Sequence, residues 1–182
     1  SGAQSVDALL KQGELVEEGG VHEPIVQALA ELRALLYIYT QQLHSPDNTS
    51  QGVEHPDIYE KIKQYIVSLK EGHLGQIQSV IAPHITEPLE TILAELEQKQ
   101  VQVDEKLVYN LENIYSQKQV DIHFYEREID IAYANIEQKI HSLVFEQVKQ
   151  RLKKAELAKD KTDIDTFTEY IYKLSIHKHA KK

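Results

Sequence analysis

Apolar side chains recur every three or four residues along most of the chain, which is the spacing of amphipathic α-helices. The clearest stripe covers residues 25–43, where spacings of four and three alternate. Its members are Ile25, Leu29, Leu32, Leu36, Tyr39 and Leu43. Pro24 stands just before it, where a missing N–H costs nothing, so we expect the helix to begin there. Because Ala28, Leu35 and Ile38 widen the stripe, this helix is predicted to be central to the core.

Shorter amphipathic stretches lie on both sides of this helix. A weak helix over residues 1–20 is predicted to end at Gly19-Gly20. After a polar loop, a third helix is expected to open at Asp57 and to close before Gly72. Its apolar face comprises Ile58, Ile62, Tyr65 and Leu69.

Two further helices follow from capping residues and spacing. After a short helix over residues 74–81, Thr86 is the expected N-cap of a helix with a strong apolar face. That face comprises Leu89, Ile92, Leu93 and Leu96. The last helix is predicted to start at Thr162 or Asp163. Its apolar positions are Ile164, Phe167, Ile171 and Leu174.

The longest segment covers residues 104–158 and has Asp104 as its expected N-cap. A first heptad run comprises Leu107, Leu111 and Ile114. The next two expected positions are Lys118 and Asp121, and the spacing then restarts out of phase. The second run comprises Ile122, Tyr125, Ile129, Tyr133, Ile136, Ile140 and Leu143. Such a slip marks a stutter in a continuous helix or a break near 117–121. Because no Gly or Pro follows Asp104, we expect a continuous helix and an elongated molecule.

The fold class predicted from these patterns is all-α: an elongated helical bundle with the long, partly heptad-patterned helix just described. Val120, Ile122 and Phe124 alternate with polar residues, as in a short strand, but the helical spacing on both sides favours a helix. We divide the chain into a helical bundle region, residues 1–103, and a long arm plus C-terminal helix, residues 104–182, within one continuous structural unit.

The composition fits a folded helical protein. Of 182 residues, 41% are hydrophobic and 27% charged, with seven Gly and five Pro. No apolar run approaches the roughly 20 residues that a membrane-spanning helix needs. The absence of Cys excludes disulfides, thiol catalysis and Cys-ligated zinc. Ser1-Gly2-Ala3 is interpreted as a cloning remnant rather than a signal cleavage site, and a cytoplasmic location is favoured over a secreted or periplasmic one.

The net charge of −9 hides a strong asymmetry along the chain. Residues 1–148 carry ten Lys and Arg against 24 Asp and Glu, whereas residues 149–182 carry ten against five. The acidic body argues against nucleic acid, because phosphate binding needs clustered basic residues. Beside Val148 and Leu152 lies a basic amphipathic group that can contact an anionic membrane surface. It comprises Lys149, Arg151, Lys153 and Lys154. The alternative interpretation is a solvated helix end.

The nine histidines lack the spacing of known metal or catalytic motifs. None has Glu three positions before it, as the Glu-x-x-His motif of di-iron bundles requires. Glycine-rich phosphate loops and the Gly-x-Ser-x-Gly nucleophile motif are also missing. The remaining acid–base candidates are interpreted as surface pairs: His123 with Glu126 and Arg127, and Glu137 with His141. We therefore predict no catalytic residue, no cofactor and no metal.

The functional hypothesis is a non-enzymatic helical interaction or scaffold module, which binds a protein partner or self-associates. Ten tyrosines against three Phe and no Trp fit half-buried helix edges or an interface. The predicted contact face is Ile122, Tyr125, Ile129, Tyr133, Ile136 and Ile140. If a double variant with Ile129→Asp and Ile136→Asp simply unfolds as a monomer, this face belongs to the core. The alternatives are membrane-surface binding through residues 149–182 and, least favoured, an enzyme with an unrecognised His/Glu site.

Overall fold

The computed structural model describes residues 2–45, 57–74 and 83–180, with side chains over 23–45, 57–71 and 85–176. Within these ranges the chain is helical and contains no strand, so the predicted all-α class is confirmed. The helices are α1 (Gly2–Leu43), α2 (Ile58–Ser68), α3 (Pro83–Glu97), α4 (Glu105–Ser116), α5 (Ile122–Ala158) and α6 (Lys161–Ala180). A π-helical segment, Leu69–Leu74, extends α2.

A single core joins residues from both halves of the sequence. The buried stripe of α1 supplies Ile25, Leu29, Leu32, Leu36 and Tyr39, as predicted for a central helix. α5 packs against α1 and supplies Ile129, Ile136, Ile140, Val144 and Val148. The core therefore crosses the boundary at residue 104 that the sequence pattern indicated.

Polar contacts connect the helices around this core. On one side, Arg33 in α1 makes a bidentate pair with Glu95 in α3, with Nε–Oε1 and Nη2–Oε2 distances of 3.0 and 2.7 Å. On the other, the Tyr133 hydroxyl in α5 donates to the Tyr65 carbonyl in α2 at 2.9 Å. α2 and α3 are linked by a salt bridge between Lys63 and Glu97. Each pair joins two different helices.

The first helix differs from the prediction. It continues from Gly2 to Leu43, so the expected end at Gly19-Gly20 and the expected start at Pro24 are wrong. Pro24 lies inside the helix, where the N–H it lacks would have donated to the carbonyl four residues earlier. From Ile25 onward α1 is buried in the core, and this packing stabilises the part of the helix that follows Pro24.

Other boundaries also shift. Asp57 caps α2 as expected, but the helical path extends beyond Gly72 to Leu74. α3 begins at Pro83, so Thr86 lies in its first turn and is not its N-cap. The short helix expected over 74–81 falls almost wholly outside the described residues.

The segment 104–158 is broken, and the expectation of a continuous helix is wrong. Asp104 caps α4 as predicted, because its Oδ1 accepts the Lys106 and Leu107 N–H groups at 3.0 and 3.3 Å. α4 ends at Ser116, and Asp121 caps α5 by accepting the Phe124 N–H at 3.0 Å. Asp favours caps over helix interiors, because its carboxylate competes for backbone N–H groups. The phase slip therefore marks a break made without Gly or Pro.

The elongated bundle is nevertheless confirmed. The 37 residues of α5 extend over about 55 Å at 1.5 Å per residue, longer than the roughly 40 Å diameter of a compact domain of this size. α5 ends at Ala158, and the left-handed backbone of its C-cap Lys159, φ 55°, turns the chain into α6. Asp160, rather than Thr162 or Asp163, caps α6 by accepting the Asp163 N–H at 3.1 Å. No helix in the described ranges combines the length and the apolar run needed to cross a membrane.

Candidate functional site

The end of α5 presents a basic surface around one exposed leucine. Val148 and Ala155 are buried on the inner side of this part of the helix, which turns the opposite side towards solvent. Lys149, Lys153 and Leu157 are spaced four residues apart and therefore share that outer face. Leu157 is 79% exposed, the most exposed large apolar residue in the described part of the chain. We call the group Lys149, Lys153, Lys154 and Leu157 the basic surface.

The charge at this end is poorly compensated within the chain. Residues 149–161 contain six Lys and Arg against two acidic residues. Lys149 pairs with Glu146, Nζ–Oε1 3.3 Å, and its ammonium lies 5.5 Å from the centre of the Phe145 ring. Within the described ranges, neither Lys153 nor Lys154 has an ion-pair partner. Leu157 therefore lies beside two uncompensated positive charges, three and four residues before it.

The predicted anionic-contact residues are all exposed, but they do not share one face. Residues two apart in a helix point about 160° apart, so Arg151 faces away from Lys149 and Lys153. The apolar side chains expected to accompany them are also unavailable: Val148 is fully buried and Leu152 is partly covered. The basic residues are thus exposed as predicted, but the apolar side chain exposed beside them is Leu157, not Val148 or Leu152.

Leu157 was missed in the sequence because it belongs to no apolar stripe. The sequence does contain a signal for its exposure. The residues four and three positions before Leu157, on the same side of the helix, are Lys153 and Lys154, which indicates that this side faces solvent. Tyr172 and Ile176 on α6 are also exposed, since they lie off the Phe167–Ile171–Leu174 face.

The predicted partner-binding face lies inside the chain. Tyr125, Ile129, Ile136 and Ile140 are buried, and Ile122 and Tyr133 are partly buried against the core. Tyr133 packs against Tyr65 of α2, with ring centres 4.9 Å apart and the ring planes tilted by 36°. The described geometry gives these six side chains a structural role within the bundle, and their use by a partner stays a prediction.

A second polar group lies where α1 meets the start of α5. The buried Tyr39 hydroxyl donates to Glu126 Oε1 at 3.1 Å, and His123 Nδ1 lies 3.2 Å from Glu126 Oε2. Burial and the Glu126 carboxylate raise the pKa of Tyr39 well above its usual range. His123 is exposed and Glu126 partly so, whereas Tyr39 is fully buried, so the group extends from the surface into the bundle. Its hydrogen bond between Tyr39 and Glu126 joins α1 to α5.

The other sequence candidate, Glu137 with His141, lies in the middle of α5. The rings of His141 and Phe145 stack with their centres 6.4 Å apart on one side of α5. In the part of the chain that the structure describes, no three His, Asp or Glu side chains come together as metal ligands would. Comparisons with protein-family models, with curated proteins and with solved structures found no match. The basic surface is therefore the strongest candidate site on geometry alone.

Proposed function

We propose that this protein is a helical interaction module that binds a protein partner through the basic surface at the end of α5. One observation carries the proposal: Leu157 is 79% exposed beside Lys153 and Lys154, which have no ion-pair partner in the described ranges. Protein interfaces typically combine an apolar anchor with a polar, charged rim. A partner with an apolar contact and an acidic rim fits this surface.

The rigidity of the surface supports the same function. Val144, Val148 and Leu174 are buried where α6 packs on α5, so the helix that carries the surface is held along its inner side. A preformed helix loses little conformational entropy when it binds. The sequence prediction of a non-enzymatic interaction module is therefore retained, with its contact face moved from the interior stripe to the outer side of α5.

Capture of partners from a lysate of the source cells tests the proposal. The full chain is immobilised as the wild type and as a triple variant, Lys153→Glu, Lys154→Glu and Leu157→Ser. A matched control, Ile131→Ser, removes a 61% exposed side chain from the same helix outside the basic surface. We expect a discrete set of proteins on the wild type and the control that the triple variant loses. The same set on all three proteins would contradict the proposal, and so would no capture at all.

A second candidate function is binding to an anionic membrane surface. It is supported by the exposure of Lys149, Arg151, Lys153 and Lys154, because each basic residue near an anionic surface adds roughly 1 kcal/mol. The geometry favours it less, since Val148 is buried and only Leu157 remains to enter the lipid. Co-sedimentation with vesicles of phosphatidylserine and phosphatidylcholine at low salt tests it. Loss of lipid binding in the triple variant would support this function, and an unbound wild type would exclude it.

A further inference from the structure

α4 exposes an aromatic residue between two carboxylates. Val108 and Tyr115 face the core, and Glu105, Tyr109 and Glu112 are exposed along one flank of the helix beside them. Spacings of four and three residues place these three side chains on one face. Tyr109 is 65% exposed, and neither glutamate has an ion-pair partner among the described residues. We call this group the acidic stripe.

The acidic stripe matches the basic surface in spacing and opposes it in charge. Glu105 lies four residues before Tyr109, and Lys153 lies four residues before Leu157. Glu112 lies three residues after Tyr109, and Lys154 lies three residues before Leu157. With Tyr109 packed on Leu157, a parallel helix pair places Glu105 level with Lys153. An antiparallel pair instead places Glu112 level with Lys154.

The two surfaces of one chain cannot reach each other. Tyr115 at the end of α4 packs edge-on against Phe124 and Tyr125 at the start of α5. Lys153 lies 28 residues beyond Tyr125 in the same helix, a distance of about 40 Å. Tyr109 is only six residues, about 9 Å, from Tyr115. A contact between the acidic stripe and the basic surface must therefore join two molecules.

We propose that the acidic stripe of one copy of this chain docks on the basic surface of a second copy. The inference rests on the proposed function, because it takes the basic surface as the contact site and names the occupant. The charge layout of the whole chain supports it: residues 1–148 carry 14 more acidic than basic residues, and residues 149–182 carry five more basic than acidic residues. The acidic body of one copy therefore attracts the basic C-terminal segment of another.

Charge reversal on each surface separately tests the contact. The first variant carries Glu105→Lys and Glu112→Lys, and the second carries Lys153→Glu and Lys154→Glu. In each variant alone the two surfaces carry the same charge. In a mixture, the reversed stripe of the first variant can meet the reversed basic surface of the second, and the native stripe of the second can meet the native basic surface of the first. A control with Glu87→Lys and Asp165→Lys makes the same change in net charge as the first variant, at exposed positions outside both surfaces.

Sedimentation velocity of the full chain gives the readout, over a concentration series at low and at high salt. We expect the wild type and the control to associate, with a dissociation constant that rises at least about tenfold at high salt as screening weakens the contact. Each reversed variant should remain monomeric alone, and an equimolar mixture should associate. Circular dichroism of each variant verifies that it is folded.

The outcomes separate this inference from the proposed function. A monomeric wild type at every concentration, or a mixture that does not associate, overturns the second-copy contact. If the wild type is monomeric and the lysate proteins still depend on Lys153, Lys154 and Leu157, the proposed function stands without this inference. If the wild type associates and both the salt dependence and the mixture behave as expected, the occupant is a second copy.

Discussion

The phenolic hydroxyl of Tyr39 donates a hydrogen bond to Glu126 Oε1 at 3.1 Å, which joins α1 to α5 between residues 87 positions apart. The Tyr39 ring is fully buried, whereas Glu126 stays partly open to water. The pair therefore connects the interior of the bundle to the start of α5, next to the loop that follows α4.

Removing this hydroxyl should weaken the fold modestly. We expect Tyr39→Phe to lower the free energy of unfolding by about 1 kcal/mol, because the partly exposed Glu126 keeps its contact with His123 and can bind water in place of the lost hydroxyl. Urea unfolding measures the change. Tyr37→Phe, at an exposed position two residues away, should alter stability by less than about 0.5 kcal/mol. Equal losses in the two variants would show that the hydrogen bond contributes nothing specific.

Alkaline pH should destabilise the protein. Burial raises the pKa of Tyr133 to about 12, and burial also raises the pKa values of Tyr39, Tyr115 and Tyr125. A folded-state pKa above the unfolded value of about 10 means that the folded chain retains protons that the unfolded chain releases. Stability from these groups is therefore complete below pH 10 and falls as the pH rises towards 12.

Urea unfolding at about pH 8, 10 and 11 measures this decline. Tyr133→Phe removes one of the titrating hydroxyls, so its stability should fall less steeply over the same interval than that of the wild type. A wild-type stability that stays constant up to pH 11, or a variant with an equally steep decline, would contradict the assignment.

The α5 stripe should behave as core. Ile136→Ala is expected to cost about 3 kcal/mol of unfolding free energy, since Ile136 is only 1% exposed and truncation leaves a cavity. Ile131→Ala on the same helix, at an exposed position, should change it by less than about 0.5 kcal/mol. If Ile136→Ala left stability unchanged and abolished association instead, the earlier interpretation of this stripe as a partner face would be correct.

Glu95 should contribute more to the stability of the fold than a surface carboxylate does. It binds Arg33 in two places and also accepts the Gln102 N–H at 2.6 Å, so one side chain fixes both α1 and the loop after α3. We expect Glu95→Gln to cost about 2 kcal/mol, because the half-buried guanidinium loses its counter-charge. Glu169→Gln, which breaks an exposed pair with Lys173, should cost less than about 0.5 kcal/mol.

A double-mutant cycle with Arg33→Met completes this measurement. Because the orphaned charge is then removed, Glu95→Gln should cost less in the Arg33→Met background than in the wild type. If Glu95→Gln lowered the free energy of unfolding equally in the two backgrounds, Glu95 would stabilise the fold through its contact with Gln102 alone.

Local patterns in the sequence predicted much of the fold. The stripe from Ile25 to Leu43, the caps at Asp57 and Asp104, and the restart at Ile122 all depend on neighbours three or four residues away, which the sequence displays directly. The choice between a continuous and a broken helix at 117–121 was wrong because it weighed only Gly and Pro as breakers. The capping preference of Asp121 favoured the break.

Contacts between distant residues could not be predicted in this way. Nothing near Tyr39 or Arg33 in the sequence indicates Glu126 or Glu95 as a partner, since those pairs form only when α1 packs against α5 and α3. The basic surface was partly predicted, because charge is visible in the sequence. Its apolar component was misplaced because Val148 turns inward, and which side of α5 faces the core depends on where α6 packs.

The packing of α6 has a consequence for how the bundle opens. α6 rests mainly on α5, whereas α1 contacts α3, α4 and α5. Loss of α6 would remove Leu174, the buried residue that the described part of α6 contributes to the core, and leave the contacts of α1 with α3, α4 and α5 in place. Backbone amides of α6 should therefore exchange with deuterated solvent through a local opening, well before those of α1 around Leu32 exchange through global unfolding.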